Sequence, residues 1–138
     1  MTKLRLLATE TSDLEVIAGA VQDSIFQIGQ TRYDRKGHSF TLRLSRYMRE
    51  KPKPYRIESG LRFDGVMKVR AQGVDLSKAD AFAVILGLTF TPTDAPAGLI
   101  ELTLAGGGII QIDAEALDVT LADIGEPTPT KRIPKHDD

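Results

Sequence analysis

Acidic side chains in the C-terminal half of the sequence suggest the most specific chemistry. If three consecutive glycines form the loop of the last hairpin, Glu101 lies directly across from Asp113, with Glu115 diagonal to both. Carboxylates opposite each other repel in a sheet. The arrangement indicates either a divalent-cation site or an acid–base pair, or a structural role in which Lys68 or Arg70 lies between them. We favour the structural role, because neighbouring opposite charges would relieve the repulsion.

Basic side chains are concentrated earlier in the chain. Residues 32–56 contain nine basic residues and two acidic ones, a net charge of +7, whereas residues 75–126 contain nine acidic residues and one lysine, a net charge of −8. A basic surface of this kind attracts an acidic protein or a phosphorylated ligand. The alternative is that the basic strands pack beside the acidic ones and neutralise them. The candidate contact residues are Arg32, Arg35, Lys36, Arg43, Arg46 and Arg49.

Other chemistries have little support in the sequence. Cysteine is absent, which excludes disulfides and thiolate sites. Of the two histidines, His38 falls in a predicted turn and His136 in a predicted tail, so neither indicates catalysis or metal binding. Nucleic acid is a disfavoured partner, because the isoelectric point is about 6.1 and no aromatic pattern suits base stacking. We expect no cofactor, no metal and no catalytic residue.

The elements that position these residues begin with a strand at 3–8 and a helix at 12–24. Ser12 and Glu15 match a capping box. The helix carries one apolar stripe at helical spacing, formed by Leu14, Ile17, Ala18 and Val21. From residue 25 the apolar period becomes two, which predicts strands. The alternation continues, with interruptions, to about residue 121.

Turns are predicted where glycine follows aspartate or stands in a run. Gly37 is expected to supply a positive φ in the turn after Asp34, and Asp64-Gly65 predicts a tight hairpin. In the last hairpin, a loop at 106–108 pairs Leu104 with Ile110 and Leu102 with Ile112. The apolar phase then switches, which predicts a β-bulge near Glu115-Ala116.

The length of 138 residues fits one domain, which we place at residues 1–124, followed by a flexible, proline-rich tail at 125–138. The predicted fold is α+β and mainly β, with one N-terminal amphipathic helix on a curved antiparallel sheet of seven or eight strands, either barrel-like or a sandwich. In outline it resembles a pleckstrin-homology-type barrel, although that type ends with its helix whereas this chain begins with one. The start lacks a signal peptide's apolar core, and no apolar run suits a membrane span. We expect a cytoplasmic protein.

Five blocks resemble a family of short bacterial proteins, mainly alphaproteobacterial, catalogued only as a domain of unknown function. They are LRLLATETSDLEVIAGAVQDS, YDRKGHSFTLRLSRY, GLRFDGVMKVRAQGVD, LGLTFTP with APAG, and LTLAGGGIIQIDAEALD. The blocks cover about residues 4–121. The resemblance implies no activity, cofactor or catalytic residue.

The first functional hypothesis is a non-catalytic binding or adaptor module that uses the basic surface around residues 32–56. The second is a small-ligand or divalent-cation protein, or an enzyme, that uses the carboxylates of the last hairpin. The third is an oligomerisation module joined by an exposed strand edge.

Overall fold

The fold is antiparallel β structure with one helix, seen in a computed structural model that describes residues 3–134. The helix is α1, Thr11–Val21, and a short 3₁₀ turn spans Ile28–Gln30. The strands are β1 Arg5–Ala8, β2 Ile25–Gln27, β3 Thr31–Asp34, β4 Ser39–Tyr47, β5 Tyr55–Asp64, β6 Val66–Gln72, β7 Phe82–Pro92, β8 Gly98–Leu104, β9 Ile109–Ala114, β10 Val119–Asp123 and β11 Thr128–Pro129.

The strands pair along one path, β1-β10-β5-β4-β2-β7-β8-β9-β6, while β3 pairs with β4 and β11 with β5. The prediction of a mainly antiparallel β domain with one helix is confirmed. The predicted number of seven or eight strands is wrong, because the described residues form eleven and the path stays open instead of closing into a barrel. The additional elements include β11, which has two residues and therefore too few to show an alternation in the sequence.

The core is a single cluster of aliphatic and aromatic side chains. It includes residues of α1, of β4, β5 and β10, and of β7, β8 and β9. On α1, Leu14, Ile17 and Val21 are buried, as the apolar stripe predicts. The capping box is wrong. Glu10 occupies the N-cap position without a side-chain cap bond, so Ser12 is already inside the helix and cannot cap it.

Two turn predictions also need correction. In the turn after Asp34, His38 rather than Gly37 adopts the positive φ, at 51°, while the Asp34 carboxylate accepts a hydrogen bond from the Gly37 N–H at 3.0 Å. Gly65 does adopt a positive φ of 67°, but β5 and β6 do not pair with each other. At Gly65 the chain instead crosses from β5, which lies between β10 and β4, to β6, which lies beside β9 at the end of the path.

The last hairpin has the predicted three-residue loop, displaced by one residue. The Leu104 N–H donates to the Gly108 carbonyl at 2.8 Å, so the loop is 105–107, and Leu102 lies opposite Ile110. Gly106 and Gly107 both adopt positive φ values, which only glycine adopts without strain. Each residue of β8 lies opposite a β9 residue two positions earlier than predicted. A shift of two keeps every side chain on its predicted face, so apolar residues still lie opposite apolar ones.

The bulge predicted near Glu115-Ala116 is not present on β9; the irregularity at this point lies on the partner strand β6, between Val66 and Lys68. Strand β9 ends at Ala114, and residues 115–118 carry the chain across to β10, where it pairs with β1 and β5. The switch in apolar phase therefore marks a change of partner strands. Near residue 125 the chain remains in contact with β5, because Thr128–Pro129 pair with Arg56 and Tyr55 as β11. The last four residues of the predicted flexible tail, 135–138, lie outside the described residues, and His136 is one of them.

Candidate functional site

The outward side of β3, β4, β5, β10 and β1 carries a group of exposed arginines. On β4, Phe40, Leu42 and Leu44 are buried in the core, so the residues that alternate with them face outward. The pairings then define two neighbouring rows across the sheet. They are Arg32-Thr41-Arg62-Thr120-Leu7 and Arg43-Gly60-Ala122-Arg5. We call this surface the basic face and define it by its arginines, Arg5, Arg32, Arg43 and Arg62.

The basic face is flat between its arginines, because the intervening side chains are small. Thr41, Gly60, Ala122 and Thr120 separate the cations, and a Cβ built on Gly60 would meet nothing within 4 Å. Adjacent strands lie about 4.8 Å apart, so five strands span roughly 19 Å. Helix α1 buries its apolar stripe in the core, on the other side of the sheet. The basic face is therefore open to solvent.

Two of the four arginines of the basic face have carboxylate partners. Arg43 forms a two-pronged ion pair with Glu58, and Arg62 contacts Asp64 at 3.0 Å. Arg5 and Arg32 form no ion pair with any described residue. Exposed ion pairs contribute little to stability, so their members can exchange partners at small cost.

The predicted contact residues Arg35 and Lys36 lie at one end of this sheet, in the exposed turn between β3 and β4. The Arg35 guanidinium lies 5.6 Å from the centre of the Tyr33 ring. Tyr33 alternates with Arg32 on β3 and pairs with the buried Phe40, so it faces away from the basic face. Arg35 lies with Tyr33, beside Met67 and Lys68. Of the predicted contact residues, the structure places Arg32 and Arg43 on the basic face, and Arg35 and Lys36 in the turn at its end.

Arg46 is not part of this surface. It lies on β4 in phase with Leu42 and Leu44 and is only 2% exposed. Its guanidinium donates to Glu50 at 2.8 and 3.0 Å and to Asp123 at 3.0 and 3.2 Å. The prediction that Arg46 forms part of a contact surface is wrong, because its position in the alternation points it inward.

The partner of Arg46 is a buried carboxylate with a complete set of donors. Besides Arg46, the Ser59 hydroxyl donates to Asp123 at 2.6 Å and the Leu4 N–H donates to it at 2.8 Å. Burial alone would raise the pKa of Asp123, but the hydrogen bonds from these three residues outweigh burial, and the pKa lies below its ordinary value. Mainly through its hydrogen bonds to Arg46, the pKa of Glu50 is lowered as well. The cluster joins β4, β5 and β10 to the start of the chain.

Arg49 also has a structural environment. It donates to the Gln22 carbonyl at 2.8 Å, pairs with Asp23 at 2.5 Å and lies 5.7 Å from the centre of the Tyr47 ring. These contacts fasten the loop after β4 to the end of α1. Arg49 therefore lies apart from the basic face, contrary to its grouping with Arg43 on charge alone.

Sequence reasoning missed Arg5 and Arg62, which the structure adds to the basic face. The signal was present, because Arg62 stands between Leu61 and Phe63, both buried, and Arg5 stands between Leu4 and Leu6. A charged residue that alternates with apolar ones lies on the outward side of its strand. The net charge of residues 32–56 does not depend on which side of its strand each residue faces, so it could not identify Arg5 and Arg62.

The acidic candidates do not converge. Glu101 lies opposite Gln111, which donates to it at 3.2 Å, and Asp113 pairs with Arg70 at 3.1 Å. Glu115 lies beyond the end of β9. The predicted pairing of Glu101 with Asp113 is wrong because of the two-residue difference in register. Within residues 3–134, no group of three or more metal-ligating side chains is placed to hold a metal ion.

The charge segregation of the sequence largely persists in the fold. In the described part of the chain, the ion pair Arg46–Asp123 is the one that joins residues 32–56 to residues 75–126. The other arginines of the basic segment that form ion pairs are Arg43 and Arg49, and their partners Glu58 and Asp23 lie outside the acidic segment. The basic segment is therefore not neutralised by packing against the acidic one.

The fold and this surface define an α+β, mainly β domain with an exposed basic sheet face. The chain belongs to the family described as protein of unknown function DUF2948, whose model matches residues 4–136. The resemblance to an uncharacterised family is thus confirmed. No curated protein and no solved structure matches the chain. Within residues 3–134, no helix has the length and apolar character needed to cross a membrane.

Proposed function

We propose that this protein is a non-catalytic binding module whose basic face binds an acidic segment of a partner protein. The observation that carries the proposal is the placement of Arg5, Arg32, Arg43 and Arg62 on one exposed sheet face with only small residues between them. Guanidinium groups form two-pronged hydrogen bonds with carboxylates. An array of them on a flat surface suits several carboxylates of one chain segment.

An acidic protein segment fits this surface better than nucleic acid does. The rows across the face contain no aromatic side chain that could stack on a base. The chain's net charge of −1 provides no long-range attraction to a polyanion. A short acidic segment needs only the local positive field.

The proposal predicts salt-sensitive binding of a fluorescein-labelled oligoglutamate peptide, measured by fluorescence anisotropy. Arg32→Glu should weaken binding by about fivefold or more, since reversing one contact charge changes binding by roughly 1 kcal/mol. Arg32 suits the test because it has no ion-pair partner among the described residues. Its reversal therefore leaves no other charge unpaired.

Lys78→Glu is the matched control, because it makes the same charge change in an exposed loop of the acidic segment. It should leave the affinity within about twofold of wild type. Equal effects of the two variants would mean that net charge, and not the basic face, controls binding. Absence of any binding by the wild-type protein at low salt would contradict the proposed function.

A further inference from the structure

Strand β1 is the last strand of the sheet and has an open edge. Among the described residues it pairs only with β10, and the Asp123 N–H donates to the Leu4 carbonyl at 2.9 Å. Alternate residues of an antiparallel strand direct their backbone groups to the same side. Leu6 therefore also faces β10, whereas Arg5 and Leu7 direct their N–H and C=O groups to the open edge. No described residue forms a hydrogen bond with these groups.

An apolar groove with a volume of about 340 Å³ lies beside this edge. It runs between β1 and α1, with Leu4 and Leu6 on one side and Val16, Gly19 and Ala20 on the other. Around the end of β4 its lining is completed by Arg46, Tyr47, Arg49 and Glu50. Val16 is 58% exposed, and the space above Gly19 is empty. We call it the β1 groove. It combines unpaired backbone groups with an uncovered apolar surface.

We propose that the acidic partner adds an extended segment to β1 as an additional antiparallel strand. Its acidic side chains would lie on the basic face and its apolar side chains in the β1 groove. This inference rests on the proposed function, because it specifies how the acidic segment binds. Strand addition of this kind derives affinity from main-chain hydrogen bonds and specificity from alternate side chains.

The two faces of β1 determine the pattern of the segment. A residue opposite Arg5 points its side chain to the same outward side as Arg5, where a carboxylate would meet the guanidinium. The next residue points inward, beside Leu4 and Leu6 and toward Gly19. The expected ligand therefore alternates acidic and apolar residues with a period of two.

Charge favours this occupant over a second copy of the chain. Arg5 is the first residue of β1 and Lys3 lies two residues before it. Both side chains are exposed. A second β1 at the same edge would bring two more cations to it, and like charges across strands are unfavourable. Basic residues on an edge strand are a common protection against self-pairing. An acidic strand gains from the same charges.

The test uses a fluorescein-labelled peptide of alternating Glu and Val and two N-methylated forms of it. In an antiparallel addition the Glu residues opposite Arg5 and Leu7 direct their N–H groups to β1, whereas the Val N–H groups point away. N-methylation of the Glu nitrogens should weaken binding by about tenfold or more. N-methylation of the Val nitrogens should leave it nearly unchanged. Net charge and side chains are identical in all three peptides.

Two protein variants test the β1 groove. Gly19→Leu fills the empty space above α1 and should weaken binding of the alternating peptide by about tenfold. Gly19→Ala leaves the groove open and should bind the peptide like wild type. Hydrogen exchange gives a direct measurement, because the amide protons of Arg5 and Leu7 should exchange about tenfold more slowly in the complex.

The outcomes separate this inference from the proposed function. Equal binding of the two N-methylated peptides, or unchanged exchange at Arg5 and Leu7, would overturn strand addition. The basic face would still stand if oligoglutamate binding depended on Arg32. If strand addition were observed but Arg32→Glu had no effect on either peptide, the proposed role of the whole basic face would fail instead. A dimer detected by light scattering, with slow exchange at Arg5 and Leu7 in the absence of peptide, would also overturn the inference.

Discussion

At the scale of single residues, arginines of the same strand have opposite roles. Arg43 lies half exposed on the basic face, whereas Arg46, three residues later, is buried between Glu50 and Asp123. The difference follows from the two-residue period of a strand, which sends odd and even positions of β4 to opposite sides. A buried charge has to be paired, and Asp123 provides that pairing from the other end of the chain.

Removing the carboxylate of Asp123 should therefore be costly. In Asp123→Asn the buried guanidinium of Arg46 keeps only Glu50, which is half exposed. We expect the free energy of unfolding to fall by about 3 kcal/mol, as for other broken buried pairs, measured by urea denaturation. Glu58→Gln removes the exposed partner of Arg43 and should cost less than about 1 kcal/mol. Similar losses in the two variants would contradict a structural role for the buried cluster.

The same cluster predicts how stability depends on pH. The pKa values of Asp123 and Glu50 are lower in the folded protein than their ordinary values. Carboxylates of this kind stabilise the fold above their ordinary pKa, and the contribution is lost as pH falls through the lowered pKa. The free energy of unfolding should be nearly constant above about pH 5 and should decrease below about pH 4. Urea denaturation across this range should show a shallower decrease for Asp123→Asn, and parallel curves would refute the assignment.

At the scale of elements, α1 has a buried side and an uncovered side. Leu14, Ile17 and Val21 are buried, while Val16 and Gly19 line the β1 groove. The helix stays in place through its buried stripe, so its uncovered side can vary without loss of the fold. Gly19 has no side chain that packs against the core. As a glycine within a helix it increases the entropy cost of folding.

Gly19→Ala should therefore stabilise the protein. The new methyl group meets nothing within 4 Å, and the gain in helix propensity is about 1 kcal/mol. Gly98→Ala is the opposite case, because its Cβ would lie 2.4 Å from the Phe90 ring. Thermal unfolding should show a higher melting temperature for Gly19→Ala and a lower one for Gly98→Ala. A lower melting temperature for Gly19→Ala would contradict the empty space above Gly19.

At the scale of the whole molecule, a net charge of −1 conceals an uneven surface. Among the described residues, Arg46–Asp123 is the one ion pair that connects the basic and acidic segments. The outward side of β3, β4, β5, β10 and β1 therefore keeps its positive charge. The field near a surface depends on this distribution more than on the net charge.

This distribution predicts retention on a cation-exchange resin at a pH above the isoelectric point of about 6.1. At low salt and about pH 7.5 the wild-type protein should bind a sulfonate resin, because the basic face can contact it directly. Arg32→Glu should elute at lower salt than Lys78→Glu, although both carry the same net charge. Wild-type protein that passes through unretained would contradict an accessible basic face.

Period and phase made part of the fold predictable from the sequence. The apolar stripe of α1 and the alternation of β4 indicate which sides are buried, since burial of an apolar side chain depends on its local spacing. The three-residue loop of the last hairpin also followed from its glycines. The candidate site was predictable only in part, because Arg32 and Arg43 were grouped with Arg46 by charge without regard to phase.

Only the tertiary structure decided which strands are neighbours. The Glu101–Asp113 pairing failed on a two-residue difference in register, which leaves every side chain on the same face and is therefore invisible to an alternation pattern. The Arg46–Asp123 pair joins residues far apart in the chain, and no local pattern determines such a contact. The sequence by itself determined which side of each strand is charged. The packing of distant strands, driven by burial of their shared apolar faces, decided which of those charges meet.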